Sequence, residues 1–130
     1  IRLSLVGSEM CIRDRYERFE RAIRQVMIYY MGFVRNQKGM ETALERLDFI
    51  AEHVDRLQAS NYRELMRTEE ALHLLKTCRL STLATMERKE SGRAVYRRSD
   101  YPDRSDEYNR TLALWQEKGE PRLSWLSRGE

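Results

Sequence analysis

Glu87-Arg88-Lys89-Glu90-Ser91-Gly92-Arg93-Ala94-Val95-Tyr96-Arg97-Arg98-Ser99-Asp100-Tyr101-Pro102-Asp103-Arg104-Ser105-Asp106 is the stretch on which the fold turns. Apolar residues at helical spacing run up to it, and past Gly92 that pattern stops. Between Arg88 and Arg110, seven basic and five acidic residues interleave with Tyr96, Tyr101 and Tyr108. A segment this polar has too little apolar surface to build a core of its own. It needs a neighbouring surface that pairs with its guanidinium and carboxylate groups. Within it, Asp100-Tyr101-Pro102-Asp103 is turn-prone, because Pro102 biases Tyr101 toward extended backbone.

Upstream lie three amphipathic patterns. Phe19, Ala22, Ile23, Val26, Met27, Tyr30, Phe33 and Val34 form a one-sided stripe that predicts a helix over Tyr16–Gln37, with Gly39 as punctuation. Met40, Ala43, Leu44, Leu47, Ile50, Ala51, Val54 and Leu57 predict a second helix over Met40–Ala59. A third, over Asn61–Ser91, opens with Asn61 as cap and Glu64 reaching back. It is expected to bury Leu65, Met66, Leu72, Leu75, Cys78, Leu83 and Met86. Met27, Met31, Met40, Met66 and Met86 read as core packing, since methionine fills irregular gaps. Downstream, Thr111–Trp115 and Arg122–Leu126 read as two short strands around Glu117-Lys118-Gly119-Glu120. A lone hairpin is marginal in water, so this one must lie against something else. The fold expected is therefore all-α: an antiparallel three-helix bundle over residues 16–91, followed by an irregular charged arm and a short β-hairpin over residues 92–130 that complete the same domain.

Residues 4–15 resemble a translated sequencing-library adapter, with Leu5 through Asp14 matching one reading frame of that DNA. Residues 1–15 are accordingly expected to be an artefact that makes few packed contacts. Ile1 in place of methionine points to a fragment. The remaining 115 or so residues suffice for one core. Without the first fifteen, the net charge falls from +3 to +2, a small surplus over many mixed charges. The apolar run from Val26 to Val34 is far short of the roughly 20 residues that span a bilayer, so no membrane span is expected.

Chemistry of its own is hard to place on this chain. The glycines (7, 32, 39, 92, 119 and 129) never take the close spacing that lets backbone approach a pyrophosphate, and no phosphate loop exists. His53 and His73 sit on separate helices without a third ligand at metal spacing. Cys78 stands apart from any Cys-x-x-Cys pattern. No catalytic, cofactor-binding or metal residue is assigned. Tyrosine–arginine interleaving at 96–104 is compatible with single-stranded nucleic acid, but Asp100, Asp103, Asp106 and Glu107 would repel phosphates, and no nucleic acid is expected. A solvated tail and a docking segment remain as readings of the arm.

Arg88-x-Glu90-Ser91, a glycine and an arginine, then Tyr96-Arg97-Arg98-x-Asp100-Tyr101-Pro102 and an acidic stretch resemble the C-terminal helical domain of the succinate dehydrogenase/fumarate reductase flavoproteins. That family includes L-aspartate oxidase and the adenylylsulfate reductase alpha subunit. Gly32-Phe33-Val34-Arg35, Gly39-Met40, Leu44/Leu47 and Glu64-Leu65-Met66-Arg67 extend the likeness over about Phe19 to Leu126. The family reads Glu-Ser-Arg-Gly where this chain reads Glu90-Ser91-Gly92-Arg93.

The resemblance implies a fragment of an FAD-dependent oxidoreductase whose flavin and hydride-transfer residues lie upstream. The fragment itself is then not catalytic. It implies FAD in the parent, the chain's own FAD-binding domain as first partner and an iron–sulfur subunit as a second. It also implies a cytoplasmic location, with membrane association only through partner subunits. Arg88, Glu90, Ser91, Arg93, Arg98, Asp100 and Tyr101 are the candidate domain-docking residues. Arg88 and Arg93 can also serve the end of the third helix locally, where the dipole favours cations. The competing reading is a free-standing helical interaction module.

Overall fold

The structure, a computed structural model, describes the backbone of residues 2–3, 9–93 and 95–127 and the side chains of residues 16–93 and 95–127. Three helices, α1 (Glu9–Tyr30), α2 (Gln37–Glu52) and α3 (Tyr62–Glu87), pack pairwise against one another. Their shared core is Phe19, Ile23 and Val26 from α1, Ala43 and Leu47 from α2, Leu57 beyond it, and Ala71, Leu75 and Cys78 from α3. No helix among the described residues is long and apolar enough to cross a membrane.

The expectation of an all-α fold is overturned by six short strands in three two-stranded sheets. Strand β1 (Arg2–Leu3) pairs in parallel with β3 (Gln58–Ala59). Strand β2 (Val34–Arg35) pairs in parallel with β4 (Arg97–Arg98), and β5 (Thr111–Glu117) runs antiparallel to β6 (Glu120–Leu126). The reason is backbone satisfaction: a charged arm lying on a bundle must find partners for its amides. Here Arg97 N–H donates to Phe33 O at 2.8 Å and Ser99 N–H to Arg35 O at 2.9 Å. The expectation of few contacts before Tyr16 concerns side chains outside the described residues.

Helix boundaries differ from the sequence reading for local reasons. α1 stops at Tyr30, well before Gln37, because the chain turns through Gly32, where a Cβ would sit 3.2 Å from Ile28 O. Phe33 and Val34, assigned to its buried stripe, are exposed instead. α2 begins at Gln37 because Asn36 caps it, its side chain accepting from Gly39 N–H at 2.8 Å. The capping arrangement at α3 forms: Glu64 N–H donates to Asn61 Oδ1 at 2.9 Å, and Glu64 Oε2 accepts from Ser60 N–H at 2.8 Å.

The buried face of α3 keeps Leu75 and Cys78 of the expected set but is otherwise different. It reads Glu64, Thr68, Ala71, Leu75, Cys78, Thr82 and Thr85, while Met66 is exposed. Thr68, Thr82 and Thr85 each donate to the carbonyl four residues back at 2.8 Å, which hides their hydroxyls within the helix. The hairpin closes through Lys118 and Gly119, at φ 51° and 85°. Positive φ at both turn positions matches the twist of the flanking strands.

Two substitutions separate these faces. Leu47→Ala removes a fully buried side chain and is expected to cost about 2–5 kcal/mol. Met66→Ala, on an exposed position, should stay within about 0.5 kcal/mol. Urea unfolding measures both; similar losses would restore the sequence-derived stripe of α3.

Candidate functional site

The charged arm folds back on two helix ends of opposite polarity. The last carbonyls of α3 lack intrahelical partners and carry the negative end of the helix dipole. The Arg98 side chain, fully buried, fills that place. Its Nη1 donates to Thr85 O at 3.1 Å, Met86 O at 3.0 Å and Arg88 O at 3.3 Å. The rest of its guanidinium fork meets Asp100, Nε to Oδ1 at 3.0 Å and Nη2 to Oδ2 at 2.6 Å. Asp100 Oδ2 in turn accepts from Gln37 N–H at 3.0 Å, at the positive first turn of α2. One arginine–carboxylate pair thus joins the C-terminus of α3 to the N-terminus of α2. Bidentate donation from Arg98 holds the Asp100 carboxyl below the usual carboxylate range, against some desolvation.

A second pair sits one loop away. Glu90 is buried, with Arg88 Nη1 at 2.9 Å and Arg93 Nε at 2.8 Å from its Oε1, and Ser105 N–H at 3.0 Å from its Oε2. The Arg93 Nε contact is ionic, without hydrogen-bond alignment. Desolvation pushes the Glu90 carboxyl up, but the Ser105 and Arg88 donors and the Arg93 charge together bring it below the usual range. Arg88 extends the network to Tyr108 O at 2.6 Å and Arg110 O at 3.0 Å, and its guanidinium lies 4.8 Å from the Trp125 ring centroid. Arg93 Nη2 donates to Ser105 O at 2.9 Å. Ser91 is the pin between the two pairs: its Oγ donates to Tyr101 O at 2.7 Å and accepts from Arg98 N–H at 2.7 Å. Gly92 follows at φ 87°, a left-handed conformation suited to glycine.

All seven sequence-selected residues therefore meet in one network. Arg88, Glu90, Ser91, Arg93, Arg98 and Asp100 make hydrogen bonds or ion pairs in it, and Tyr101 contributes its carbonyl and an exposed ring over Arg98, 4.9 Å away. Arg88 and Arg93, expected at the end of α3, point to the arm; Arg98 occupies that end in their place. Sequence reasoning missed the bundle's side of the site. Arg35 Nε donates to Gly32 O at 2.8 Å, its Nη1 donates to Thr85 Oγ1 at 3.2 Å, and its guanidinium lies over the Tyr96 ring at 4.2 Å. Gln37 supplies the amide that Asp100 binds. The available signal was Gly32-Phe33-Val34-Arg35, which carried part of the family likeness without a role.

Residues 20–127 match the family described as "Fumarate reductase flavoprotein C-term". An L-aspartate oxidase of Yersinia pestis is 33% identical over 69% of this chain and 16% of its own length. An uncharacterized FAD-dependent oxidoreductase of Methanocaldococcus jannaschii is 29% identical over 71% of this chain and 17% of its own. The solved adenylylsulfate reductase of Archaeoglobus fulgidus superposes on 88% of this chain and 19% of that one, with a TM-score of 0.81 at 25% identity. The chain thus spans about a sixth of the length of the curated relatives it matches.

Both carboxyls are depressed in the folded state. Their stabilisation is fully present above the unfolded carboxyl value of about 4 and disappears as pH falls through the lower folded values. Glu90→Gln should weaken the chain at pH 7 and flatten the acid limb below about pH 4, where Glu90 no longer titrates. Chemical denaturation at a series of pH values tests it; parallel profiles for the two proteins would show that Glu90 is not held as the structure has it.

Proposed function

The chain belongs to the fumarate reductase flavoprotein C-terminal family, and from that premise we propose that it is the closing domain of an FAD-dependent oxidoreductase. In this reading it packs on the FAD-binding portion and supports assembly of the enzyme. The observation that carries it is the family match over residues 20–127, together with relatives about four times as long, one of them named an FAD-dependent oxidoreductase and another an L-aspartate oxidase.

The described residues do not fit FAD itself. A pyrophosphate needs free amides at a helix N-terminus beside closely spaced glycines. The N-termini of α2 and α3 are filled by the chain's own groups, Asn36 with Asp100 at one and Asn61 with Glu64 at the other. Flavin chemistry accordingly belongs to the upstream portion, and no residue here is assigned a step in it.

The arm that Arg88, Glu90, Ser91, Arg93, Arg98, Asp100 and Tyr101 hold in shape forms part of the docked surface. A surface fixed before docking loses little conformational freedom on contact, which strengthens the interface. An iron–sulfur subunit is the further partner this reading carries, with a cytoplasmic location for the parent.

The test is flavin content. The 130-residue chain, purified alone and incubated with FAD, should retain no flavin absorbance after gel filtration. The parent protein carrying the upstream portion should retain one FAD per chain. Stoichiometric FAD on the 130-residue chain, or a parent that holds none, would overturn the proposal.

A further inference from the structure

Five large apolar side chains stand in water where α1 ends and the arm crosses it. Ile28 is 77% exposed, Tyr29 80%, Phe33 67%, Val34 57% and Val95 91%. They come from two segments some sixty residues apart, which the β2–β4 pairing sets side by side with Val34 opposite Arg97. Burying such side chains is worth roughly 1.5–3 kcal/mol each, so a group of them left in solvent marks an interaction surface. Arg97 is exposed in its midst, and no described carboxylate lies within ion-pair distance of it. Arg98 beside it, by contrast, is fully satisfied, and Arg35 behind it is covered by Tyr96. The backbone beneath is fixed by the Arg97–Phe33 and Ser99–Arg35 hydrogen bonds.

We infer that this face, Ile28, Tyr29, Phe33, Val34 and Val95 around Arg97, is the surface covered by the upstream FAD-binding portion of the parent. The inference rests on the function proposed above and names which side of the domain performs it. The occupant follows from length and charge. The matched family is a C-terminal part, and the curated relatives carry more than four-fifths of their length outside the region this chain covers. That portion must bring an apolar surface and one carboxylate to meet Arg97, since an unpaired guanidinium buried at an interface is strongly unfavourable. Two further exposed aromatic side chains, Tyr62 at the start of α3 and Trp115 on the hairpin, lie on different elements and serve as internal controls.

Hydroxyl-radical labelling of the 130-residue chain and of the parent distinguishes the possibilities, with flavin content read from the same samples. In the chain alone, Tyr29, Phe33 and Val95 should label as exposed residues. In the parent their labelling should fall to the level of fully buried Ile23, with Tyr62 and Trp115 unchanged. Arg97→Glu should restore labelling in the parent and leave the melting temperature of the 130-residue chain where it was. Protection confined to Tyr62 or Trp115 would overturn this face and leave the docking reading standing. A flavin-loaded parent without protection at any of these residues would overturn both. Protection in the chain alone that grows with its concentration would assign the face to a second copy of the chain and overturn the inference.

Discussion

Arg98 on the C-terminus of α3 is the contact on which the rest of the molecule depends. A helix end buried without partners for its last carbonyls is costly, and a guanidinium is suited to it by charge and by its fixed set of donors. Two carbonyls of α3 and that of Arg88 just past its end take one nitrogen, and Asp100 takes the other edge of the fork. Because Asp100 also receives the Gln37 amide at the start of α2, the pair lies between a negative helix end and a positive one. Arg98 and Asp100 therefore orient two helices and anchor the arm together. The strand pairing of Val34–Arg35 with Arg97–Arg98 places Arg98 there, so the small sheet and the cap are one device.

The bundle accommodates this device because α3 presents a face of small and hydroxyl-bearing residues. Thr68, Ala71, Cys78, Thr82 and Thr85 occupy little volume, and the threonine hydroxyls bond within their own helix. Thr85 serves twice: its hydroxyl also receives Arg35, while its carbonyl receives Arg98. Larger apolar residues on this face would separate α3 from α1 and α2 and carry the acceptors away from both arginines. Packing and ionic network thus constrain each other at the same turn of helix.

Buried ion pairs are favourable only when every remaining donor and acceptor is met. Glu90 meets two guanidinium groups and a backbone amide, with Arg93 Nε left in ionic contact alone, and Ser91 bridges the Glu90 and Arg98 clusters through one hydroxyl. The arm thus buries Glu90 and Arg98 in its interior, while Val95 and the Tyr101 ring stand outward beside exposed Arg97, Asp103, Arg104 and Glu107, with Phe33 and Val34 across the strand pair.

The sequence by itself determined the three helices and the hairpin, because helical periodicity, Asn61 with Glu64, and Lys118-Gly119 are local signals read within a few residues; it ran α3 to Ser91, whereas the helix ends at Glu87. It also singled out the residues of the arm, since alternating charge in a segment without a core must pair with something. What it could not determine is the partner. Arg88, Arg93 and Arg98 are chemically equivalent when read along the chain; only the packing of α3 decides that Arg98 reaches the helix end and the others reach Glu90. The same holds for the short parallel strands, whose two-residue length gives no periodicity to read, and for the buried threonines, which look polar until their hydroxyls are seen bonded to their own helix. Phe33 and Val34 continue the stripe of α1 in sequence yet stand in solvent, because the turn at Gly32 ends the helix before the stripe does. Local signals are short-range and survive in the sequence, whereas pairing between residues sixty positions apart exists only once the chain has closed on itself.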